Sequence, residues 1–276
     1  MELNQITGRH CVSTYASLTE FAEYAESFAD RFGRKLWSSY RAHWSFGSED
    51  TRDDYRDAYT MAREGWDYHV DAALALTDQV VEAVRDDTVT DFRPVWDFQG
   101  SQVDIGAYLT GEPECMIDYP PTETTKVGRV VTICVSLSVS SAMSTEAVIA
   151  RGVMITALAE ILSQRGLNTE IWGDRTSTHG AYSATHRILI KGTNDVIDHS
   201  RILYALANPS MLRVLAFSAD MGLPADWMGC GQGMGQVGTT RQDMEEGTLY
   251  LGSHAGSYDM AAELRGYLKQ LGLLED

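Results

Sequence analysis

The chain has 276 residues, 44% of them hydrophobic and 22% charged, with a formal net charge of −17. That length buries roughly three quarters of the extended surface, enough for one sizeable core, and the composition is ordinary for a globular protein. The acidic balance disfavours generic duplex binding, no apolar run reaches the ~18 residues of a membrane span, and the first residues lack the basic-then-apolar order of a secretory leader. The expectation is a cytoplasmic protein with no membrane association.

In chain order, residues 1–90 read as a helical N-terminal region. The segment SLTEFAEYAESFADRF (17–32) opens with the capping-box spacing Ser17-x-x-Glu20 and repeats Phe21, Tyr24, Ala25, Phe28 and Phe32 at helical intervals. Residues 50–66 and 67–87 predict two more helices, broken at Gly65. Such a region is a satellite domain or a cover over the main core. Residues 91–128, with the Pro-, Gly- and Thr-rich TGEPECMIDYPPTETTKVG, read as an extended connector.

From 129 to 276 the pattern is that of an α/β domain. The near-continuous β-branched run RVVTICVSLSV (129–139) predicts a central strand buried on both faces. A long helix follows over 144–166, with Ser144 as N-cap, Glu146 in the first turn and Gly166 at its stop; it is apolar on nearly all sides and therefore interior. LNTEIWG (167–173) and THRILIKG (185–192) have no helix between them and predict a hairpin, hence one antiparallel member. Residues 195–209 predict a helix stopped at Asn208-Pro209, residues 211–222 fit strand or helix, 247–253 a short strand and 257–274 a closing amphipathic helix. The alternation calls for a helix-covered, mostly parallel sheet with one antiparallel strand.

Little in this chain carries catalytic chemistry. GCGQGMGQVG (229–238) contains G-x-G-x-x-G at Gly233, Gly235 and Gly238, but neither a strand before it nor a helix after it supplies the amides that hold a pyrophosphate, so a flexible loop and no cofactor is the reading. Ser136 with His179 or His186 and Asp174 makes a triad on paper only, since no G-x-S-x-G elbow exposes the serine. The four cysteines, Cys11, Cys115, Cys134 and Cys230, form no CxxC pair and are expected to be free thiols. One patch runs against the acidic trend: Arg34, Lys35 and Arg41 interleave with Trp37, Tyr40 and Trp44, a combination suited to stacking bases and holding phosphates of single strands. The same aromatics equally suit anchoring of the helical region onto the sheet, with the cations facing solvent.

The element order resembles the von Willebrand factor A fold, in which a central strand leads into a buried helix and a hairpin supplies an antiparallel edge strand. RVVTICVSLSVSSAMS looks like that family's first strand and metal loop, D-x-S-x-S, which falls here on Cys134, Ser136 and Ser138; RVLAFSADMGLP looks like its fourth strand, with the second acidic position at Asp220; Thr193 is the candidate for its threonine. The resemblance implies a degenerate site, because a thiol at Cys134 replaces the carboxylate that a hard divalent ion wants, and so no metal. It also implies a rim at the strand ends that meets a partner, made of Ser136, Ser138, Thr193, Asp220 and the loop with Gly231, Gly233 and Gly235. The GEPECMID connector with the strand and helix after it is similar to uncharacterised proteins of actinobacteria and their phages. The expected function is a non-enzymatic accessory factor, phage- or mobile-element-encoded, that engages another protein; the alternative is a single-stranded nucleic-acid-binding accessory protein using the 31–46 patch.

Overall fold

The structure is a computed structural model and describes residues 1–30, 57–83, 90–92, 95–100, 102–118, 121–123, 130–139, 144–230, 236–237, 248–252, 260–271 and 273. A mixed sheet forms its centre, built from β1 (Glu2–Thr7), β2 (His10–Tyr15), β3 (Val130–Ser136), β4 (Asn168–His179), β5 (Tyr182–Lys191), β6 (Gln236–Val237) and β7 (Leu249–Leu251). Across the sheet the order is β1-β2-β5-β4-β3-β7, and β6 pairs with β4 at Ser177 and Thr178, beyond the end of β3. Parallel pairing joins β2 to β5, β3 to β4 and β3 to β7; β1–β2, β4–β5 and β4–β6 are antiparallel. The coarse expectation of an α/β architecture is met, and β3 lies inside the sheet as its β-branched run predicts.

The six longest helices among the described residues are α1 (Leu18–Glu26), α2 (Asp57–Glu64), α3 (Val70–Ala83), α4 (Thr145–Gln164), α5 (His199–Ala207) and α6 (Met260–Gln270). One sheet face carries Val131, Ile133 and Val135 of β3, Ile171 of β4 and Ile188 of β5, and these share a single hydrophobic core with Phe21, Tyr59, Leu76, Leu158, Leu203 and Leu264 from the six helices. The uniformly apolar α4 occupies the middle of this layer, touching β4, α3, α5 and α6. Its start is set by Ser144, whose Oγ accepts the Ala147 N–H at 3.2 Å. Its crossing with α5 is close: a Cβ added at Gly152 would lie 2.4 Å from the Ala207 Cβ, so the backbones meet only because Gly152 has no side chain. At α1 the Ser17 half of the capping box forms, with Ser17 Oγ accepting the Glu20 N–H at 3.0 Å, while Glu20 Oε2 reaches one residue further back and accepts the Ala16 N–H at 2.7 Å.

Three expectations are corrected. Residues 2–15 are a hairpin rather than part of a helical region, and they widen the sheet beyond the single reversed strand foreseen. Glycine opens both two-residue turns, Gly8 at φ 60° between β1 and β2 and Gly180 at φ 59° between β4 and β5. Residues 211–222, which the von Willebrand A alignment requires as a strand, are helical: a π-helical turn at Met211–Ala216, an α-turn at Phe217–Ala219 and a 3-10 turn at Asp220–Gly222. The buried positions Met211, Leu212, Leu215, Ala216 and Ala219 recur at helical intervals, which is why a strand does not form there. Residues 91–128 are not simply extended: Thr90–Phe92 pairs with Pro121–Glu123, while Val95–Asp97 and Gln102–Val103 both pair with Met116–Asp118, and Ile105–Thr110 is a short helix. Among the described residues no single helix is long and apolar enough to cross a membrane.

Candidate functional site

Among the described residues, those expected to form one rim do not all converge. Ser136 ends β3 in a buried position, and its carbonyl accepts from Arg151 Nη1 at 2.9 Å. Ser138 is buried too; its Oγ donates to the Thr176 carbonyl at 2.6 Å and accepts the Thr176 N–H at 2.8 Å, so the hydroxyl is consumed in stitching two strands. Thr193 follows β5, and because β5 runs antiparallel to β4 with Lys191 opposite Ile171, it falls at the other end of the sheet. An open cleft of about 610 Å³ at that end is lined by Lys191, Asp195, His199 and Arg201, of which Lys191 Nζ donates to the Thr169 carbonyl, His199 pairs with Glu160 and Arg201 Nη2 donates to Thr19 Oγ1.

Cys134 is buried opposite Trp172, on the sheet face away from the one that carries Arg175 and Asp220. The cation cage implied by the resemblance therefore does not fit these residues. Gly231, Gly233 and Gly235 lie outside the described residues, as do Arg34, Lys35, Trp37, Tyr40, Arg41 and Trp44.

Asp220 belongs instead to a buried polar chain that the sequence did not announce. Its Oδ1 lies 3.1 Å from His186 Nε2, and its Oδ2 lies 2.7 Å from Arg175 Nη2, an ion-pair contact off the ideal hydrogen-bond line. Tyr15 OH is 3.1 Å from His186 Nδ1, Arg175 also donates to Ser177 Oγ, and the guanidinium sits 5.5 Å from the Phe217 ring centroid. Burial, followed by smaller contributions from Tyr24, Asp220 and Cys11, pushes the Tyr15 phenol well above the usual tyrosine range. The phenol thus keeps its proton, and its hydroxyl, the two imidazole nitrogens and the Asp220 carboxylate stand in one hydrogen-bonded line. Every member of this chain is at most 3% exposed. Buried in this way, the chain ties β2, β5, β4 and the 211–222 segment together.

Two of the free thiols complete the seal. Cys11 and Cys230 share a small buried cluster with Ala184, Leu223 and Trp227, and burial raises both thiols above the ordinary value, so they stay protonated and inert.

Exposed chemistry gathers elsewhere, in residues 95–118. Asp104 organises this module: its Oδ1 accepts the N–H groups of Gly106 at 3.0 Å and Ala107 at 3.2 Å, and its Oδ2 accepts Trp96 Nε1–H at 3.0 Å. These bonds, Trp96 first, hold its carboxyl below the usual aspartate range. The Ile105–Thr110 helix ends at Gly111 in the left-handed region, φ 76°, with the Glu112 N–H returning to the Ala107 carbonyl at 3.0 Å. The Asp104 N–H reaches the Cys115 carbonyl at 2.8 Å and fastens the helix to the three strands.

What this frame presents is apolar. Ile105 is 70% exposed, Leu109 77%, Tyr108 and Phe98 65%, with Trp96 and Val103 nearly half exposed. None of the described side chains of 95–118 is buried, and none belongs to the hydrophobic core.

Residues 3–275 match the family described as Domain of unknown function (DUF7192). The chain belongs to that family. The DUF7192 match runs through the sheet, the helices and the 95–118 module alike. Neither a curated protein nor a solved structure matches the chain.

Proposed function

We propose that this chain is a non-enzymatic accessory factor that engages another protein, and that the engaging surface is the 95–118 module. The observation that carries the reading is that Ile105, Tyr108 and Leu109 stand in solvent on a short helix fixed at both ends by caps, with Phe98 exposed just after the Val95–Asp97 strand. An apolar group of this size on a built scaffold, rather than on a loose loop, marks a contact site. Tyr and Trp are the residue types that dominate binding energy at such sites, and a preformed helix loses little entropy on docking. The partner-facing surface is thereby moved from the strand rim, where Ser136, Ser138 and Asp220 are buried, to the segment read from sequence as a connector.

The test is photo-crosslinking inside cells of the native source, with a photoreactive side chain at Leu109, at Phe98 or, as control, at Val196, which is 90% exposed on the cleft lined by Lys191 and His199. The expected result is one discrete heteromeric adduct from Leu109 and Phe98, absent from Val196 and lost when Ile105→Asp is added. Equal labelling from all three positions, or none from Leu109 and Phe98, overturns the reading.

A further inference from the structure

The chemistry around the module identifies what docks on it. Residues 94–125 contain six carboxylates, Asp97, Asp104, Glu112, Glu114, Asp118 and Glu123, and not one Lys, Arg or His. Asp97, Glu112 and Glu114 are exposed in the same module, Asp97 next in sequence to Phe98 and Glu112 directly after the helix cap at Gly111. The helix offers Ile105, Tyr108 and Leu109, spaced i, i+3 and i+4, so they project from one side of the helix as adjacent anchors. An apolar strip with a purely acidic border is complementary to an apolar strip with a basic border. The border selects the partner and speeds encounter, while the strip supplies the affinity.

We infer that the occupant of this surface is an amphipathic segment of a partner protein, apolar along one side and flanked by Lys or Arg. The inference rests on the docking reading above and adds the partner's class to it. A second copy of this chain is the poorer occupant, because it brings the same acidic border and a net charge of −17. An anionic lipid surface is poorer for the same reason.

The probe is a labelled synthetic amphipathic helix of leucine and lysine, compared with its leucine and glutamate counterpart, titrated with the full chain and followed by fluorescence anisotropy. The leucine–lysine peptide is expected to bind at least about tenfold more tightly than its counterpart, with affinity falling as salt rises over the screening range. The variant Ile105→Asp/Leu109→Asp should weaken it by about tenfold or more. The variant Asp97→Lys/Glu112→Lys/Glu114→Lys should weaken the lysine peptide and strengthen the glutamate one. Circular dichroism checks each variant's fold, and Tyr108→Ala replaces the double aspartate variant if that one fails to fold.

If the lysine peptide binds Ile105→Asp/Leu109→Asp as it binds the parent, it sits elsewhere and the basic-segment inference is overturned. If both peptides bind alike and charge reversal changes nothing, the border selects no partner and the inference falls, while the docking reading still stands on the crosslink. A dimer in sedimentation that dissociates on Leu109→Asp, or capture of anionic vesicles that needs Ile105 and Leu109, likewise overturns it by naming another occupant.

Discussion

His186 Nε2 lies 3.1 Å from Asp220 Oδ1 and so joins the middle of β5 to a helical turn 34 residues further along the chain. With Arg175 on the other carboxylate oxygen, Asp220 is the one anion of a closed set in which Tyr15 and His186 complete the hydrogen bonds. Removing its charge strands the Arg175 guanidinium at 3% exposure. Asp220→Asn should therefore lower the unfolding free energy by about 3–5 kcal/mol, the range for breaking a buried pair from one side. Arg175→Met/Asp220→Leu removes both charges and should cost less than Asp220→Asn alone. Urea unfolding decides it: a loss below ~1 kcal/mol for Asp220→Asn would show the contact to be dispensable, as exposed pairs are.

Gly152 makes a second, independent point of tight fit. Gly152→Ala places a methyl within 2.4 Å of the Ala207 Cβ and 2.7 Å of its Cα, so α4 and α5 must move apart. Overpacking of this kind costs about 1–3 kcal/mol, against a gain of up to ~1 kcal/mol from replacing a helical glycine by alanine. The packing term wins in the core, and the thermal midpoint should fall; a rise would place the α4–α5 crossing further apart than described.

The elements with a strong local period were legible, and those defined by distant pairing were not. The run at 129–139 gave β3, the Ser144 cap and Gly166 bounded α4, and the two short runs after it gave the β4–β5 hairpin. The β1–β2 hairpin carried its own sign, Thr7-Gly8-Arg9-His10 between alternating segments, but its place beside β5 depends on a parallel pairing across some 170 residues that no window contains. Residues 211–222 were ambiguous because a buried run has no polar side to reveal its period. The Tyr15–His186–Asp220–Arg175 chain draws single residues from four segments, so no motif spacing marks it. Residues 91–128 looked extended because prolines and glycines dominate them, yet Asp104 and Gly111, six residues inside two caps, were the readable trace of the short helix.

Cys134 separates the metal-site resemblance from the geometry. Cys134→Asp restores the carboxylate of the family pattern, but it places that charge on the sheet face opposite the one that carries Arg175 and Asp220, at a position only 1% exposed. A further carboxylate buried on that face, beside the Asp174–Arg187 ion pair, destabilises the fold or takes up a proton. The expected outcome is a lower thermal midpoint that Mg²⁺ does not restore. A midpoint that climbs with Mg²⁺ concentration would mean that a cation binds the native state there by mass action, against the arrangement described.

Asp104 sets the pH range over which the docking module keeps its shape. Its carboxyl titrates below the ordinary aspartate value because Trp96 and the Ala107 and Gly106 amides bind the ionised form. The folded value is the depressed one, so the cap's contribution is complete above the unfolded aspartate pKa of about 3.9 and disappears as pH falls through the lower folded value. At neutral pH, Asp104→Ala should expose the Gly106 and Ala107 amides and release the Trp96 ring, with severalfold faster hydrogen exchange at those two amides. The global unfolding midpoint should stay unchanged, since no described side chain of 95–118 belongs to the core. Hydrogen exchange by mass spectrometry reads both effects at once. If the whole sheet loses protection with the module, the two fold as one cooperative unit, and the short helix is a structural brace rather than a separately stable platform.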